Sequence, residues 1–516
     1  MTKSDVAHYV LLVVGQVFHG AGSTPVYTLG VTFLDESVKA ESSAFYLGIF
    51  FASSVLGPVL GFAGGGLCLK VYGDWLKIDS EKMPQDPDTP DWYGAWWLGF
   101  LISAVMSCVA AIFISGFPER LPSAPEHKEV DGMKKSPTAI SFETSISELT
   151  SSLKTIVTCW PFFWLTVLDC IEALLATGII VFFPKILENF FRHSSSDAGL
   201  VTGIAVVPGA VLGNIISGFV IKRFKLHVNG MLIMAFAADC VCMFLGLSFL
   251  LYCPVRDVVG INHPYKSFKN ASSPLINLSE VCNAGGNCSE ACFHPVCDQD
   301  SGLTYYSPCY AGCVSGGAKK FNNCKCLESK IFPSSKKLFV TAGYCKQPCT
   351  YIYPFLVCFF TFVFLAFMTS IPIQESELRS VPFNLRSLAL GLRWIFIRLL
   401  GTIPSPIMYG KLVDRSCLKW RYSDTGQRME CLMYNNKKLS DCIVILGAVL
   451  KFHVLICIFL AWRANRSRKA VILSDSDGRD PSKTDPSVCD FNAQTESVTL
   501  DKRSDDNQTK NSEKTP

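Results

Sequence analysis

Long apolar stretches separated by short polar segments dominate the pattern of the chain. Each is about 20 residues or longer, enough for an α-helix to cross a hydrocarbon core of about 30 Å. One such run would fit a buried helix of a large soluble protein, but a series of them leaves no aqueous fold. We therefore predict an all-α polytopic membrane protein with nine spans, in runs 6–34, 44–69, 92–118, 155–184, 198–221, 228–252, 350–373, 387–410 and 443–462.

Composition and charge agree with a membrane protein and exclude other classes. Only 17% of the residues are charged, whereas soluble domains carry about 25%. A net charge of +4, scattered along the chain, gives no basic surface for nucleic acid. We find no phosphate-binding loop, nucleophile–base pair or metal-ligand spacing. The sequence thus predicts neither an enzyme nor an ATP-driven pump, and no cofactor or metal.

Basic residues and cysteines indicate the orientation. "KRFKLH" at 222–227 and "RANRSRK" at 463–469 are rich in Lys and Arg, which favours the cytoplasmic side. The loop 253–350 then lies outside the cell and the C-terminus inside. Ten of the 23 cysteines fall within 282–349, as expected where thiols oxidise. Glycosylation sequons lie in the same loop, at Asn270, Asn277 and Asn287.

The loop 253–350 contains the segment "PVCDQDSGLTYYSPCYAGC" from Pro295 to Cys313, which resembles the core of a Kazal-type domain. We expect a small domain held together by disulfides, whose pairing the spacing leaves open. A protease-inhibitor role is disfavoured, because only Phe293 and His294 separate Cys292 from Pro295. The cysteines of this framework are Cys282, Cys288, Cys292, Cys297, Cys309, Cys313, Cys324, Cys326, Cys345 and Cys349.

A tryptophan-rich seam, "DWYGAWWLGFL" at 91–101, forms the beginning of the third apolar run. Tryptophan rings there suit a membrane interface, with apolar faces in lipid and N–H groups among headgroups. The seam also resembles the signature of the organic anion transporting polypeptides, a family of the major facilitator superfamily. Asp91 stands where that signature has Arg. The matching residues are Trp92, Gly94, Ala95, Trp96, Trp97 and Gly99.

The resemblance extends over residues 6–463, and "TPVYTLGVTFLDE" at 24–36 looks closest to the fourth and sixth subfamilies. It implies a major-facilitator-like bundle of twelve helices, so that 6–34 matches the fourth and the first three are absent here. The expected organisation is a partial N-terminal bundle 1–117, a cytoplasmic linker 118–154, a C-terminal bundle in parts 155–252 and 351–463, the extracellular Kazal-like domain 253–350, and a disordered cytoplasmic tail 464–516.

The function that the resemblance implies is sodium-independent transport at the plasma membrane. Its substrates would be large amphipathic organic anions, such as bile salts, steroid conjugates, thyroid hormones and prostaglandins. Transport would proceed by alternating access within the lipid bilayer, in exchange for a counter-transported anion. The alternative is a truncated membrane protein without transport, acting through its ectodomain or as a partner of a full-length transporter.

Such a carrier needs apolar walls and a few cations to attract its substrate. Arg398, in the middle of the run 387–410, is the first candidate; an ion pair with Asp169, Glu172 or Asp239 is its structural alternative. Arg393 lies about 140° away around the helix, and we expect it to point towards the cytoplasmic end. Lys451 and His453 are assigned peripheral or structural roles.

Two further candidates have structural alternatives. Lys185, at the outer end of the run 155–184, is either a substrate-binding residue or a snorkelling interfacial lysine. His19 stands where relatives often have Arg, and it is either a pH-sensitive anion ligand or a core histidine.

Small residues recur in two of the apolar runs. Gly57, Pro58 and Gly61, and the pair Gly209 and Gly213 in small-x-x-x-small spacing, predict close helix packing. That packing is compatible with sliding during alternating access.

Overall fold

The computed structural model describes most of the apolar runs and much of the cysteine-rich loop. Trp92, Cys292, Asn270, Asn287, the side chain of Pro58, most of the linker 118–154 and the tail beyond 475 lie outside the described residues. The described residues are 3–69, 71–76, 94–118, 146–192, 195–265, 277–286, 288–290, 293–317, 320–327, 339–345, 349–382, 385–422 and 428–475.

The described part of the chain is mostly helical. Its helices are α1 (Lys3–Ser37), α2 (Ala40–Leu69), α3 (Trp96–Ser115), α4 (Ile146–Val157), α5 (Trp160–Phe191), α6 (Ser195–Phe224), α7 (Val228–Leu245), α8 (Ile352–Leu378), α9 (Arg386–Phe396), α10 (Pro404–Arg415) and α11 (Asn436–Asp475). A 3₁₀ turn, Gly246–Leu250, extends α7.

Eight stretches of these residues are long and apolar enough to cross a bilayer, which makes the chain a multi-pass membrane protein. One of them, Arg386–Arg415, joins α9 to α10 through a π-helical turn at Ile397–Thr402. The predicted run 44–69 lies in α2, where Ser42–Gly57 is a shorter apolar stretch.

Glycines set the closest approaches between helices. In α6, a Cβ at Gly213 would lie 2.5 Å from the carbonyl oxygen of Phe364 in α8, and one at Gly209 would lie 3.2 Å from that of Phe360. Further along α6, a Cβ at Gly218 would lie 2.5 Å from the carbonyl oxygen of Ala44 in α2. Because only glycine allows such contacts, α6 packs against α8 on one side and α2 on the other.

The predicted packing of α2 glycines is different. No described atom lies within 4 Å of a Cβ built at Gly57 or Gly61. Gly48, which the sequence analysis did not single out, makes the contact instead, with its Cβ position 2.7 Å from the carbonyl oxygen of Asn214.

Aromatic stacking fills the core among α5, α7 and α8. The ring of Phe183 stacks on Phe359 at 4.1 Å between centroids, and Phe249 meets Phe359 edge-on at 5.9 Å. Phe183 and Phe359 are almost fully buried. By contrast, no side chain of α3 is buried in the described structure, and its apolar surface suits a lipid environment.

A disulfide-rich domain lies between α7 and α8. Its six-stranded sheet has the order β1 (Val258–Val259), β3 (Thr304–Tyr305), β2 (Val296–Cys297), β6 (Phe339–Ala342), β5 (Lys320–Asn322) and β4 (Ser315–Gly316). Only β1 and β3 pair in parallel; the other pairs are antiparallel.

Disulfides cross-link this domain as a small core requires. The pairs are Cys253–Cys349, Cys282–Cys326, Cys288–Cys309, Cys297–Cys345 and Cys313–Cys324. Cys253, which was not among the predicted cysteines, closes the domain at its root by joining the end of α7 to the beginning of α8.

A hairpin between α10 and α11 meets the disulfide-rich domain. It consists of β7 (Cys417–Tyr422) and β8 (Arg428–Tyr434), linked by Cys417–Cys431. Lys419 of the hairpin forms a 2.7 Å ion pair with Glu290 of the domain. The hairpin and the domain therefore lie on the same side of the helices.

Candidate functional site

Arg398 is an exposed cation within a spanning helix. It lies in the π-helical turn Ile397–Thr402, a type of irregularity common at functional sites. The turn packs tightly on α5, because a Cβ at Gly401 would lie 2.7 Å from the carbonyl oxygen of Cys170. None of the carboxylates in the described residues forms an ion pair with Arg398.

An aromatic group lies beside Arg398 where α1, α2 and α9 meet. The guanidinium carbon of Arg398 lies 5.3 Å from the ring centroid of Trp394, one turn earlier. The ring of Trp394 lies 5.6 Å from that of Tyr27 in α1, and Tyr27 lies 6.1 Å from Phe50 in α2. The buried Nε1–H of Trp394 donates to no acceptor among the described residues. An exposed guanidinium beside aromatic rings is suited to an anionic ligand.

Two other cations within the spans, Arg393 and Lys451, are neutralised by carboxylates. Arg393 is buried, with Nη2 2.6 Å from Asp169 of α5 and Nε 2.5 Å from Glu377, near the end of α8. Its orientation towards the cytoplasmic end stays a prediction. Asp169 is thereby taken up by Arg393 rather than by Arg398. The offset of five residues correctly separated the two arginines, but it could not identify which one met the acids.

Lys451 holds the remaining acids that were considered for Arg398. Its Nζ lies 2.7 Å from Glu172 of α5 and 2.7 Å from Asp239 of α7. Lys451 and Asp239 are almost fully buried, so of the two roles predicted for Lys451, peripheral or structural, the structural one fits. His453 is exposed, and its Nδ1 lies 2.7 Å from the carbonyl oxygen of Val449.

Lys185 and His19 lie away from Arg398. The π-helical turn that holds Arg398 meets α5 near Leu174, because a Cβ at Gly401 would lie 3.4 Å from the backbone nitrogen of Leu174. Lys185 is eleven residues further along α5, or about 16 Å. Its side chain is 46% exposed and lies 3.3 Å from Glu188. Its Nζ also lies 5.8 Å from the ring centroid of Tyr434. Burial raises the pKa of the Tyr434 phenol to about 12. His19 is exposed on α1 and is not a core histidine.

The tryptophan seam forms a structural junction. Trp97 donates its indole N–H to the carbonyl oxygen of Gly73 at 3.0 Å, and the backbone N–H of Ala95 donates to Val71 at 2.8 Å. Gly94 forms a bridge with Tyr72. Trp96 stays 56% exposed, and Gly99 has open space around it. The seam therefore fixes the entry to α3 against the segment that follows α2.

The residues around Arg398 form no metal site. Within the described ranges, no group of three His, Cys, Asp or Glu side chains is placed to hold a metal ion. Sequence analysis missed Tyr27, Phe50 and Trp394. The spacing of Trp394 and Arg398, four residues apart on one helix face, was a signal that could have identified one of them.

Comparison with known proteins gives the site a context. The family model described as "Organic Anion Transporter Polypeptide (OATP) family" matches residues 1–439. The chain is 36% identical over 464 residues to solute carrier organic anion transporter family member 4C1 of Homo sapiens, an alignment that covers 87% of this chain and 63% of the relative.

Other relatives extend the similarity. Member 4A1 of Mus musculus is 34% identical over 466 residues, covering 87% of this chain and 63% of the relative. Member 1A5 of Rattus norvegicus is 30% identical over 464 residues, covering 86% and 68%. The chain thus spans less than two thirds of the length of the fourth-subfamily relatives. These relatives agree with the resemblance seen in "TPVYTLGVTFLDE".

Proposed function

This chain belongs to the Organic Anion Transporter Polypeptide family, and we propose that it carries large amphipathic organic anions across the plasma membrane. The family consists of transporters rather than enzymes. The proposed transport is independent of sodium, proceeds by alternating access and exchanges the substrate for a second anion. Bile salts, steroid conjugates, thyroid hormones and prostaglandins are the proposed substrate class.

The guanidinium of Arg398, which is exposed and has no acidic partner among the described residues, is the observation that supports this function most directly. Arg393 and Lys451 are each held by two carboxylates, so neither offers charge to a ligand. Arg398 is exposed, and its guanidinium carbon lies 5.3 Å from the ring centroid of Trp394. A sulfate or carboxylate there would gain charge-assisted hydrogen bonds in a medium of low dielectric constant.

The aromatic group supplies the second half of amphipathic recognition. Tyr27, Phe50 and Trp394 present apolar surface next to the cation, as a steroid-like body requires. They come from α1 and α2 on one side and α9 on the other. A substrate bound there would contact both sets of helices, and a movement of one set against the other would change its access.

The rest of the architecture is proposed on the same basis. The helices would form a major-facilitator-like bundle, with the disulfide-rich domain as a Kazal-like extracellular domain and the C-terminus in the cytoplasm. The cross-linked sheet supports the outer location, and Asn277 is exposed on it for glycosylation. Lys185 and His19 are proposed as accessory substrate contacts, both on the side of Arg398 that faces the disulfide-rich domain.

A second function is favoured by one observation. The most apolar stretches of α1 and α3 contain no buried residue. The apolar side chains of these stretches are therefore available to pack against other helices. A chain without transport of its own, acting through its ectodomain or as a partner of a full-length transporter, would use that surface.

Uptake of a labelled steroid sulfate into cells that display the chain at their surface tests the proposal. We expect Arg398→Ala to reduce uptake about tenfold, as the loss of one charge-assisted contact predicts, and Arg398→Lys to retain part of it. Arg421→Ala is the control, because Arg421 lies in the exposed hairpin and pairs with Glu430. Surface protein without uptake of several anions would support the second function. Unchanged uptake by Arg398→Ala would reject the site.

A further inference from the structure

Two carboxyl groups in the helix bundle converge on a single guanidinium. The Nε of Arg393 in α9 donates to Oδ2 of Asp169 at 2.6 Å and lies 2.5 Å from Oε2 of Glu377. The side chain of Glu377 is fully buried, and those of Arg393 and Asp169 are 8% and 13% exposed. Three helices, α5, α8 and α9, therefore meet at one nearly dry cluster of charges.

Hydrogen bonding in this cluster is incomplete in a specific way. The Nε atom carries one hydrogen, and Asp169 accepts it. Oε2 of Glu377 is buried and accepts no hydrogen bond from the described residues, and Nη1 of Arg393 is likewise buried without an acceptor among them. Its other oxygen accepts only from the hydroxyl of Thr166, at 3.4 Å. A buried carboxylate oxygen without a donor is strongly unfavourable.

The charges of the cluster, like its incomplete hydrogen bonding, favour a bound proton. With both acids ionised, the cluster has two negative charges and one positive charge. Carboxylates that share a site repel each other, and a proton on either one removes the repulsion. Oδ2 of Asp169 and Oε2 of Glu377 both lie close to the same Nε, at 2.6 and 2.5 Å, so the added O–H would donate to the neighbouring carboxylate.

We propose that Asp169 and Glu377 form a proton-binding site, in which the two carboxyl groups hold one proton between them beside Arg393. The bound proton neutralises the cluster and supplies the missing donor. The ligand is the proton alone, and the balance is simple: one hydron is bound when the cluster is neutral and is released when both acids ionise. The partial exposure of Asp169 gives it a route to water.

Other titratable groups near the pair lie on α5 and α8. Cys170 on α5 is the remaining titratable group that interacts with Arg393. Glu375 on α8 pairs instead with Arg379, at 3.1 Å. The cluster around Lys451 also contains one cation and two acids, but its geometry is different. Nζ of Lys451 donates separately to Glu172 and to Asp239, at 2.7 Å each. An ammonium has three hydrogens, so both of those acids receive a donor.

The proton site is connected to the contact between the N-terminal and C-terminal helices. Arg386 lies seven residues before Arg393, which places the two on nearly the same face of α9. Arg386 pairs with Asp35 of α1 at 2.6 Å. Binding of the proton removes one of the two negative charges on Asp169 and Glu377, which weakens the attraction of α5 and α8 for Arg393 of α9. The same helix, α9, also carries Arg386, which pairs with Asp35 of α1. A dependence of transport on pH follows, and this consequence rests on the proposed function.

Infrared spectroscopy of the purified full chain in lipid nanodiscs tests the site without transport. A protonated carboxyl group has its own C=O stretching band, distinct from that of a carboxylate. We expect Glu377→Gln and Asp169→Asn each to lose the intensity of one protonated carboxyl group at neutral pH, because one proton is shared by the two acids. Glu430→Gln, an exposed acid of the hairpin, should leave the band unchanged.

The infrared measurement tests the proton site separately from the uptake assay. If both variants keep the full band of the unmodified chain, the proton site is wrong; two different isosteric changes guard against the failure of either one to fold. The uptake of labelled steroid sulfate is also measured as a function of external pH. We expect uptake by both variants to depend less on pH than uptake by the unmodified chain. A pH profile that both leave unchanged would reject the coupling. An unmodified chain without uptake would count against the proposed function alone and leave the infrared result standing.

Discussion

At the scale of single residues, pairing determines which intramembrane cation can bind a ligand. Arg393, Arg398 and Lys451 all lie in the last two predicted spans, but two are enclosed by acids from other helices. A charge inside a span requires a partner, a cavity or a ligand. Arg398 has no acidic partner among the described residues, and its aromatic neighbours are the remaining interaction.

Lys451→Met tests the structural role of the second cluster. The substitution keeps an unbranched chain but leaves the buried Asp239 without its cation. We expect destabilisation of about 3–5 kcal/mol, as for a buried ion pair that loses one partner, seen as a lower midpoint of thermal unfolding in nanodiscs. Adding Asp239→Asn should recover part of the loss. A single variant as stable as the unmodified chain would contradict the proposed role.

At the scale of elements, glycine contacts determine how closely the helices pack. Gly213 and Gly203 are both in α6, but only Gly213 faces another backbone. A Cβ there would lie 2.5 Å from the carbonyl oxygen of Phe364, whereas no described atom lies within 4 Å at Gly203. The two positions therefore form a matched pair with the same helix and the same change.

Gly213→Ala should separate α6 from α8 and lower the midpoint of unfolding, in line with overpacking penalties of about 1–3 kcal/mol. Gly203→Ala should leave it unchanged or raise it, because alanine favours a helix by about 1 kcal/mol over glycine. The measurement is thermal unfolding of both variants in nanodiscs. Equal midpoints for the two variants would show that the contact contributes nothing.

Sequence patterns predicted the elements better than their partners. Apolar runs located the spans, because hydrocarbon thickness sets their length. The run 387–410 gave no sign that a π-helical turn at Ile397–Thr402 would divide it, since that turn depends on packing against α5. Likewise, Arg393 could not be assigned to Asp169 and Glu377, because contacts between distant helices leave no periodic signal.

Cysteines outside a recognised motif were also missed. Cys417 and Cys431 join the strands of a hairpin whose residues lie between two spans and outside the Kazal-like spacing. Cys253 belongs to the end of an apolar run, so its link to Cys349 depended on the fold. Motif spacing predicts a framework, whereas the links at its edges require the three-dimensional arrangement.

At the scale of the whole molecule, the disulfide-rich domain is attached to the helices at several points. Asn436, at the beginning of α11, donates to the carbonyl oxygens of Asn189 and Cys253 at 2.9 and 2.8 Å. Nη2 of Arg256 in the domain donates to the backbone carbonyl oxygen of Arg192, directly after α5, at 2.5 Å, and burial lowers the pKa of Arg256. These contacts hold the domain over one end of the C-terminal helices.

The opposite end of the molecule carries the ion pair between Asp35 of α1 and Arg386 of α9. Its atoms lie 2.6 Å apart, the side chains are only 10% and 11% exposed, and Ser43 also donates to Asp35 at 2.8 Å. A pair this well buried is sensitive to the loss of one member. It joins helices that the proposed transport cycle moves relative to each other, so both stability and uptake should depend on it.

Charge reversal and charge exchange test this pair. Asp35→Arg or Arg386→Asp alone places like charges together, and we expect a lower unfolding midpoint and reduced uptake of labelled steroid sulfate. The double exchange should recover about 1–3 kcal/mol, the coupling expected for residues in direct contact. Exchanging Arg421 and Glu430, which are 40% and 63% exposed, is the control, since exposed pairs contribute about 0–1 kcal/mol. A double exchange no better than the sum of the single changes would show that Asp35 and Arg386 do not hold the two sets of helices together.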